Sequence, residues 1–476
     1  MTPVFFKPAA GGVHSNREGW EEAAPPDPLP SGLREAPFYV LLPPLWDHHG
    51  HLPILGDLLE EADLRGTKST EETLSRLMAF AADQPVGSRI VGFGWDDVSF
   101  DNKTPHRKLL DTLYPDRPVF LRRLDCHAAL LNSAAIKEAG LNDRSPDPEG
   151  GMLLREEGML TGVVVDGALE AVEKKLPKPG RGERKRRILK AAMHIKAEGL
   201  SGVTTMGLDS TEAELLAELE EEGSLPLPVE GYLRYPWRNP VSSAKHEYGL
   251  FKITGAKFYA DGALGSRGAA LDGDYSDRPG ERGLLLWEKE KLVKALSVSA
   301  LNGLRPAVHS IGDRALSLVL DAMEESKTAR GARIEHVQTA RHEQLSRMAR
   351  LEVTASLQPC HFLDDLGWAY ARLGDRIGDA YRLGTVLKAG IPILVGTDFP
   401  VSHPSPRLNF RSALYRKDAS ERISLRELLN GCAPPAGFPT VRSFTCAALD
   451  TPPWEEGALG MDETTFHAET ATGSGA

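Results

Sequence analysis

The chain has 476 residues, of which 41% are apolar and 26% are charged, and its formal net charge at pH 7 is −11. This length fits one large α/β barrel with insertions, or two to three domains, and the composition is ordinary for a globular protein. The acidic balance argues against a nucleic-acid partner, because phosphate binding requires a surplus of Lys and Arg.

Cysteine content and hydropathy bear on the cellular setting. Four cysteines in so long a chain do not make a disulfide framework. The first residues lack the charged and apolar regions of a signal peptide, and no apolar run approaches the ~18 residues that span a bilayer. We therefore expect a cytoplasmic protein that acts on neither a membrane nor a nucleic acid.

Residues 1–35 are rich in Pro, Gly and Glu and predict an irregular segment or a remnant β-sandwich. From residue 36 onward, short apolar runs alternate with amphipathic helical patterns, which is typical of βα units in a parallel sheet. Eight runs fit a (β/α)8 barrel, which we place at 36–431, with a C-terminal tail at 432–476. The predicted strands are 38–46, 202–208, 227–234, 253–262, 305–312, 333–338, 353–359 and 391–399, and the clearest helices are 211–223, 289–303, 314–326 and 341–351.

Two stretches interrupt this alternation. Residues from about 55 to 190 contain strand-like runs at 89–95 and 117–125 and mixed turns at 146–162, and they predict a large insertion after strand one that could cap the site. A long loop at 360–384 carries aromatic residues that we expect to shape the pocket, because long insertions at the carboxyl ends of barrel strands often have functions. These aromatic residues are Trp368, Tyr370 and Tyr381.

Six polar residues fall at the carboxyl ends of five predicted strands, where barrel enzymes carry their catalytic groups. They are His49, His51, Lys257, His309, His336 and Asp398. Each alone has an ordinary structural explanation, such as a hydrogen-bonded core histidine or a turn cap. Together they are harder to explain by packing, because burying four imidazoles and two charged groups without partners would cost several kcal/mol. A metal would supply the missing partner.

The stretch WDHHGH at 46–51 shows how two of these histidines would be presented. Side chains alternate between the two faces of an extended strand. Asp47, His49 and His51 are therefore expected to face a metal, while His48 points away and is structural.

These six residues could bind one or two divalent ions, since imidazole and carboxylate are common zinc ligands. We expect two zinc ions bridged by a CO2-derived carbamate on Lys257. A single ion held by His49, His51 and Asp398, or on the His309 side, is the alternative. Metal binding lowers the pKa of water towards ~7, and Asp398 would accept the proton of that water and later give it to the leaving group.

Eight motifs carry a family resemblance that runs from about residue 38 to 410. They are WDHHGH at 46–51, GFGWDD at 92–97, FLRRLDCHAALLNSAAI at 120–136, AKFYADGALGSRGAAL at 256–271, PAVHSIGDRA at 306–315, RIEHVQ at 333–338, ASLQP at 355–359 and VGTDFPV at 395–401. In order and spacing they resemble the amidohydrolase superfamily and, more narrowly, amidohydrolase family 3, the YtcJ-like metal-dependent hydrolases.

The resemblance implies that the six strand-end residues are the metal ligands, with Lys257 as the lysine that is often carboxylated. It also implies that four further residues lie near the substrate, although local packing is the alternative for each: Trp95, His127, Ser266 and Arg267. Family members usually build a small β-sandwich from both termini. Here the short N-terminal segment and the lack of a closing G-x-x-A-D motif predict a reduced or absent one.

The expected activity is metal-dependent hydrolysis of non-peptide C–N bonds, in an amide, formamide or cyclic amide of a small molecule, through a metal-bound hydroxide. Arg267 could pair with a substrate carboxylate. A deaminase, lactonase or isomerase on the same scaffold is the alternative, because a fold does not fix a function. A non-catalytic protein with a decayed site would have lost ligands, and all six are present. The oligomeric state stays open, with a homodimer as one expectation.

Overall fold

The computed structural model describes residues 4–9, 20–24, 35–96, 98–101, 103–124, 127–176, 178–237, 249–438, 444–453, 455, 458–461 and 464–469. Their contacts group them into two compact units. One unit comprises residues 56–187, and the other comprises the chain on either side of that segment. The insertion predicted from the sequence, at about 55–190, is to be compared with the unit of residues 56–187.

The larger unit contains a parallel sheet of eight strands whose spatial order follows the chain. Barrel strands one to eight are Trp46–Gly50, Gly202–Leu208, Val229–Arg234, Phe251–Tyr259, Arg305–Ser310, Arg333–His336, Thr354–Leu357 and Ile393–Val395. Strand eight returns to strand one, because Gly50 forms a parallel bridge with Phe399 and the Asp398 N–H donates to the His49 carbonyl at 2.6 Å. These contacts confirm the predicted (β/α)8 barrel.

Helices follow the strands where the apolar periodicity predicts them. Ser210–Glu221 begins at a capping box, in which Asp209 and Glu212 each accept the other's backbone N–H, at 2.7 and 2.8 Å. The other α-helices of this part of the chain are Leu52–Leu58, Arg181–Ala197, Lys289–Leu301, Asp313–Ser326, His342–Arg350, Pro359–Asp365, Ala369–Leu373, Leu383–Lys388, Pro406–Tyr415 and Leu425–Gly431. Short 3-10 turns lie at Gly374–Asp379, Ala419–Glu421 and Ala458–Gly460. Across the described ranges, no helix combines the length and the apolarity that a membrane crossing requires.

The stretch 360–384, predicted as a loop, is largely helical. Pro359 occupies the first turn of its helix, a position that tolerates the missing N–H of proline. Trp368 and Tyr381 pack against a hydrophobic cluster that includes Tyr275, whereas Tyr370 is 65% exposed.

The apolar run at 38–46 does not form barrel strand one, contrary to the prediction. Phe38–Leu42 instead joins a five-stranded sheet, pairing in parallel with Val4–Pro8 and antiparallel with Phe444–Leu449. Two prolines, Pro43 and Pro44, separate this strand from Trp46–Gly50, and because proline cannot donate a backbone hydrogen bond the run is divided between two sheets.

Both termini therefore contribute strands to one sheet, with Trp20–Glu22 and Thr465–Glu469 at its edges. The terminal β-structure is reduced to this sheet within the described residues, but it is not absent. Residues 432–476 are consequently more than a tail, since two of the five strands come from them.

The unit of residues 56–187 has its own six-stranded sheet. In sheet order its strands are Ala62–Asp63, Ile90–Trp95, Val119–Arg123, Ala128–Leu131, Met159–Asp166 and Gly151–Glu156. The mixed turns predicted at 146–162 are instead a hairpin, whose two central residues, Glu157 and Gly158, have φ of 50° and 80°. Positive φ at both positions is the geometry that two-residue hairpins favour. Its helices are Thr70–Ala82, Lys108–Leu113, Ser133–Glu138 and Gly167–Lys175, with a 3-10 turn at Val98–Phe100.

Candidate metal centre

Barrel strand one presents two histidines whose ring nitrogens are both accounted for. In His49, Nδ1 lies 2.6 Å from a Glu335 carboxylate oxygen, and Nε2 lies 3.3 Å from Asp398 Oδ1. In His51, Nδ1 lies 3.0 Å from the Met206 carbonyl, and Nε2 lies 3.0 Å from the same Asp398 oxygen. Both Nε2 atoms therefore converge on one carboxylate.

His336 repeats this arrangement at the end of strand six. Its Nδ1 lies 2.8 Å from the side-chain oxygen of Gln358, whose amide nitrogen donates to the Ser356 carbonyl. One ligand atom each from His49, His336 and Asp398 lies within 4.8 Å of the others. His309, on strand five, has its ring centre 4.5 Å from that of His336.

Lys257 lies on strand four and is fully buried. Its Nζ is 3.3 Å from His49 Nε2, which places it beside the same cluster. Burial lowers the pKa of this amine to about 8, so the neutral form that reacts with CO2 is more accessible than for a lysine in water. The structure thus brings all six strand-end residues into one connected group.

The hydrogen-bond pattern of this group fits a cation. The Nδ1 atoms of His49, His51 and His336 all face acceptor oxygens, so a neutral ring at each position carries its proton on Nδ1 and a lone pair on Nε2. Lone pairs then face the Asp398 carboxylate, which is an unfavourable contact between acceptors unless a positive ion lies among them. Metal-bound histidines typically have the other ring nitrogen held by such an acceptor.

Burial also favours the neutral imidazoles that bind metals. It lowers the pKa of His49 to about 4 and that of His309 to about 3, and the positive charge of Lys257 acts in the same direction. The pKa of His336 is likewise held well below its ordinary value by burial.

Two of these residues have strained backbones. His336 has φ of 74° and Asp398 has φ of 58°, a left-handed conformation that side chains with a Cβ rarely adopt. Such strain concentrates at functional sites, where the surrounding structure holds it in place.

Asp47 and His48 have structural roles. The Asp47 carboxylate accepts the His49 N–H at 2.9 Å, the Thr397 N–H at 3.1 Å and the Thr397 hydroxyl at 2.7 Å, which ties strand eight to strand one. Its oxygens are therefore committed to two backbone N–H groups and a hydroxyl rather than to a metal, contrary to the expectation that it shares the metal face of His49. His48 is buried, with Nε2 2.9 Å from the Ala433 carbonyl.

Two residues near the cluster escaped sequence reasoning. Glu335 supports His49, rather than the adjacent His336, and it forms a buried ion pair with Arg333 at 2.5 Å. His361 follows strand seven, and its Nε2 lies 3.9 Å from Asp398 Oδ2 with no hydrogen-bond partner. The position of His361, just after a barrel strand, was the signal that could have identified it.

Of the four residues expected near a substrate, two lie in the larger unit. Arg267 forms a forked ion pair with Asp277 at 3.1 and 2.7 Å, so the guanidinium edge that would bind a carboxylate is occupied. Ser266 is exposed, and its hydroxyl lies 3.3 Å from the Ala263 carbonyl.

The other two lie in the unit of residues 56–187. The indole of Trp95 is buried and donates to the Leu121 carbonyl at 2.8 Å, and the exposed His127 has Nδ1 2.9 Å from Asp166. A substrate-binding role for these four residues stays a prediction.

A second group of potential ligands consists of His194, Glu198 and His403, with ligand atoms also within 4.8 Å of one another. The His403 side chain is 55% exposed and that of Glu198 is 29% exposed. This group is a second place where a metal ion could bind.

Comparisons with known proteins identify a family that this chain resembles over most of its length. Residues 39–433 match the model of the amidohydrolase family. The YtcJ protein of Bacillus subtilis (strain 168), named as an amidohydrolase, is 31% identical over 416 residues, covering 80% of this chain and 74% of that protein. The N-substituted formamide deformylase of Arthrobacter pascens is 24% identical over 398 residues, covering 77% and 72%.

A solved structure is also similar to this chain over most of its length. The crystal structure of an uncharacterised metal-dependent hydrolase from Pyrococcus furiosus has a TM-score of 0.67 and 34% identity, covering 82% of this chain and 80% of that one. With the family model matched from residue 39 to 433, the chain belongs to the amidohydrolase family, a family of metal-dependent hydrolases.

Proposed function

We propose that the protein hydrolyses a non-peptide C–N bond in a small molecule, in an amide, formamide or cyclic amide. The observation that carries the proposal is the convergence of the His49 and His51 Nε2 atoms on Asp398 Oδ1, at 3.3 and 3.0 Å, with each Nδ1 bound to an acceptor. This pattern leaves a place for a cation beside a carboxylate that can move a proton.

Six residues would hold the metal, which we propose to be two zinc ions. His49, His51 and Asp398 form one side, His309 and His336 form the other, and Lys257, whose Nζ lies beside His49 Nε2, would bridge the ions as a carbamate. A divalent ion bound there would polarise a carbonyl oxygen and make water a better nucleophile at neutral pH. A single ion at His49, His336 and Asp398 is the alternative.

Side chains of the protein would transfer the proton from the attacking water to the leaving group. The Asp398 carboxylate faces the Nε2 atoms of both His49 and His51, so it is placed to accept a proton from an attacking water and to return it to the leaving nitrogen. His361, whose buried Nε2 has no hydrogen-bond partner, is placed to donate to or accept from a reacting group beside Asp398.

The class of substrate is supported by one relative. The Arthrobacter pascens protein is named for removal of the formyl group from N-substituted formamides, and it aligns over 77% of this chain. Formamides are therefore the first compounds to examine. Lactones and amidines follow, because the same scaffold could serve a lactonase or a deaminase.

The test combines metal analysis with a substrate panel. We expect two equivalents of zinc or a similar ion per chain and release of formate from N-benzylformamide. Asp398→Asn should reduce the rate about 10³-fold. His403→Ala is the matched control, since it removes the more exposed group of potential ligands and should leave both the activity and the two central ions in place.

Other outcomes would change the proposal in defined ways. One equivalent of metal would favour the mononuclear centre. Full activity in the Asp398→Asn variant, or no metal binding and no activation by zinc, manganese or cobalt, would contradict a hydrolase of this type. Hydrolysis of a lactone or amidine but of no amide would move the reaction to another class on the same centre.

A further inference from the structure

A cleft in the larger unit has the candidate metal ligand His336 in its wall, with His361 beside it. Part of its lining comes from residues that follow strands seven and eight: Phe362, Tyr381, Arg382 and Arg416. A molecule that fills this cleft would have one end near His336 and the rest against these side chains. The chemistry of the lining therefore bears on the group that a substrate carries beyond its reactive bond.

Arg416 is the unusual member of this lining. The residue is only 7% exposed, and its guanidinium carbon lies 3.9 Å from the centre of the Phe362 ring, so the group is stacked and fixed in one plane. Nη1 donates to the Tyr381 carbonyl at 2.9 Å, while Nε is buried without a hydrogen-bond partner. Within the described part of the chain, no carboxylate oxygen lies within 4.0 Å of its nitrogens.

The acids near Arg416 are committed elsewhere. Glu421 accepts the Thr385 N–H at 2.9 Å and also its hydroxyl, and Asp418 accepts the Ser420 N–H at 3.0 Å. Burial lowers the pKa of Arg416 even though both carboxylates oppose the shift, so the positive charge is incompletely balanced.

The second arginine of the cleft serves as a comparison. Arg382 forms an ion pair with Asp379 at 2.9 Å. Asp365, another acid of this region, has one oxygen that accepts from both Tyr381 and Gln338 at 2.7 Å. Arg416 is therefore the cleft cation whose charge still lacks an anion, and a buried charge of this kind is costly without a partner.

We propose that Arg416 binds a carboxylate of the substrate. The substrate class is then an amide or formamide that carries a carboxylate on the side away from the scissile bond, such as an N-acylated amino acid or an acylaminomethyl benzoate. The inference rests on the proposed function for the position of the scissile bond beside His336. The role in carboxylate recognition that the sequence analysis gave to Arg267 is thereby assigned to Arg416, because the guanidinium of Arg267 is bound to Asp277.

Binding of simple probes tests the inference without catalysis. Calorimetry on the protein as purified compares benzoate with benzamide, which has a similar size and no charge. We expect benzoate to bind about tenfold more tightly. Arg416→Met, which keeps a flexible side chain against Phe362, should remove that preference. Arg330→Gln is the matched control and should retain it, because Arg330 is exposed and pairs with Glu352.

Arg416→Lys covers the case in which the Met variant does not fold. Lysine retains the charge but lacks the planar fork, so the preference should fall by at least about threefold without vanishing. A preference for benzoate that persists unchanged in the Met variant, or in the Lys variant if only that one folds, would overturn the inference, since the carboxylate would then bind elsewhere, for example at the metal. Equal binding of benzoate and benzamide to the parent protein would overturn it as well.

A hydrolysis comparison separates the two proposals. The parent protein should show a KM for 4-(formamidomethyl)benzoate about tenfold lower than for N-benzylformamide, and the Met variant should show similar values for both. If neither compound is hydrolysed while benzoate binding still depends on Arg416, the proposed function fails and the carboxylate site stands. If both are hydrolysed with equal KM and no benzoate preference exists, only the carboxylate site fails.

Discussion

Glu335 accepts a hydrogen bond from His49 Nδ1 at 2.6 Å, although the two residues are 286 positions apart in the chain. The same carboxylate is held by Arg333, whose Nε donates to its other oxygen at 2.5 Å. This relay joins strand one to strand six and fixes which nitrogen of His49 faces Asp398. A carboxylate behind a ligating histidine orients the ring and raises its basicity.

Replacing Glu335 with glutamine should therefore weaken metal binding. We expect zinc affinity to fall about 10- to 100-fold, because the amide keeps the shape of the side chain but not the charge that holds the His49 proton. Competition titration against a chelating dye would measure this. Glu352→Gln is the control, as that residue is exposed and pairs with the surface residue Arg330. Zinc affinity equal to that of the parent protein would remove Glu335 from the metal centre.

Lys257 is expected to determine how many ions bind. Lys257→Met keeps most of the length of the buried side chain and removes the amine that would form the carbamate, so metal content should fall from two ions to one. Elemental analysis after gel filtration gives the number. Lys291→Met, on the exposed side of a helix, should retain both ions. Two ions per chain in the Lys257 variant would show that no carbamate is needed and would make the lysine a structural charge.

The sequence was sufficient for much of the barrel and for the positions of the six strand-end residues, since both follow from local patterns, while their role as ligands stays a prediction. Apolar runs of the right length predicted seven barrel strands near their observed places, and His309 or Asp398 could be located by counting to a strand's end. The contacts that support the ligands could not be predicted from the sequence, because they join residues far apart in the chain, such as Glu335 and His49. The strand pairing of the terminal sheet, of which only a remnant was predicted, could not be derived for the same reason, since it joins Leu42 to Thr445.

Asp47 should be a stability residue rather than a ligand. Its carboxylate accepts three hydrogen bonds, one from His49 on strand one and two from Thr397 just after strand eight, so Asp47→Ala leaves buried donors without a partner. We expect the free energy of unfolding to fall by about 3 kcal/mol, as measured by urea titration followed by circular dichroism. Thr397→Val removes one of the three bonds and should cost about 1 kcal/mol. A change in metal content without loss of stability would instead make Asp47 a ligand.

His361 should affect turnover without affecting metal content. Its ring is nearly parallel to that of His336 at 6.2 Å, and its Nε2 faces Asp398 Oδ2 at 3.9 Å without a hydrogen-bond partner. It is therefore close enough to contact a reacting group but is not among the six proposed ligands. We expect His361→Ala to lower kcat about 10- to 100-fold on N-benzylformamide while both ions stay bound. His403→Ala, a histidine change at a more exposed position, should leave kcat unaltered. Loss of one ion in the His361 variant would make the residue a ligand, and an unchanged kcat would exclude it from the reaction.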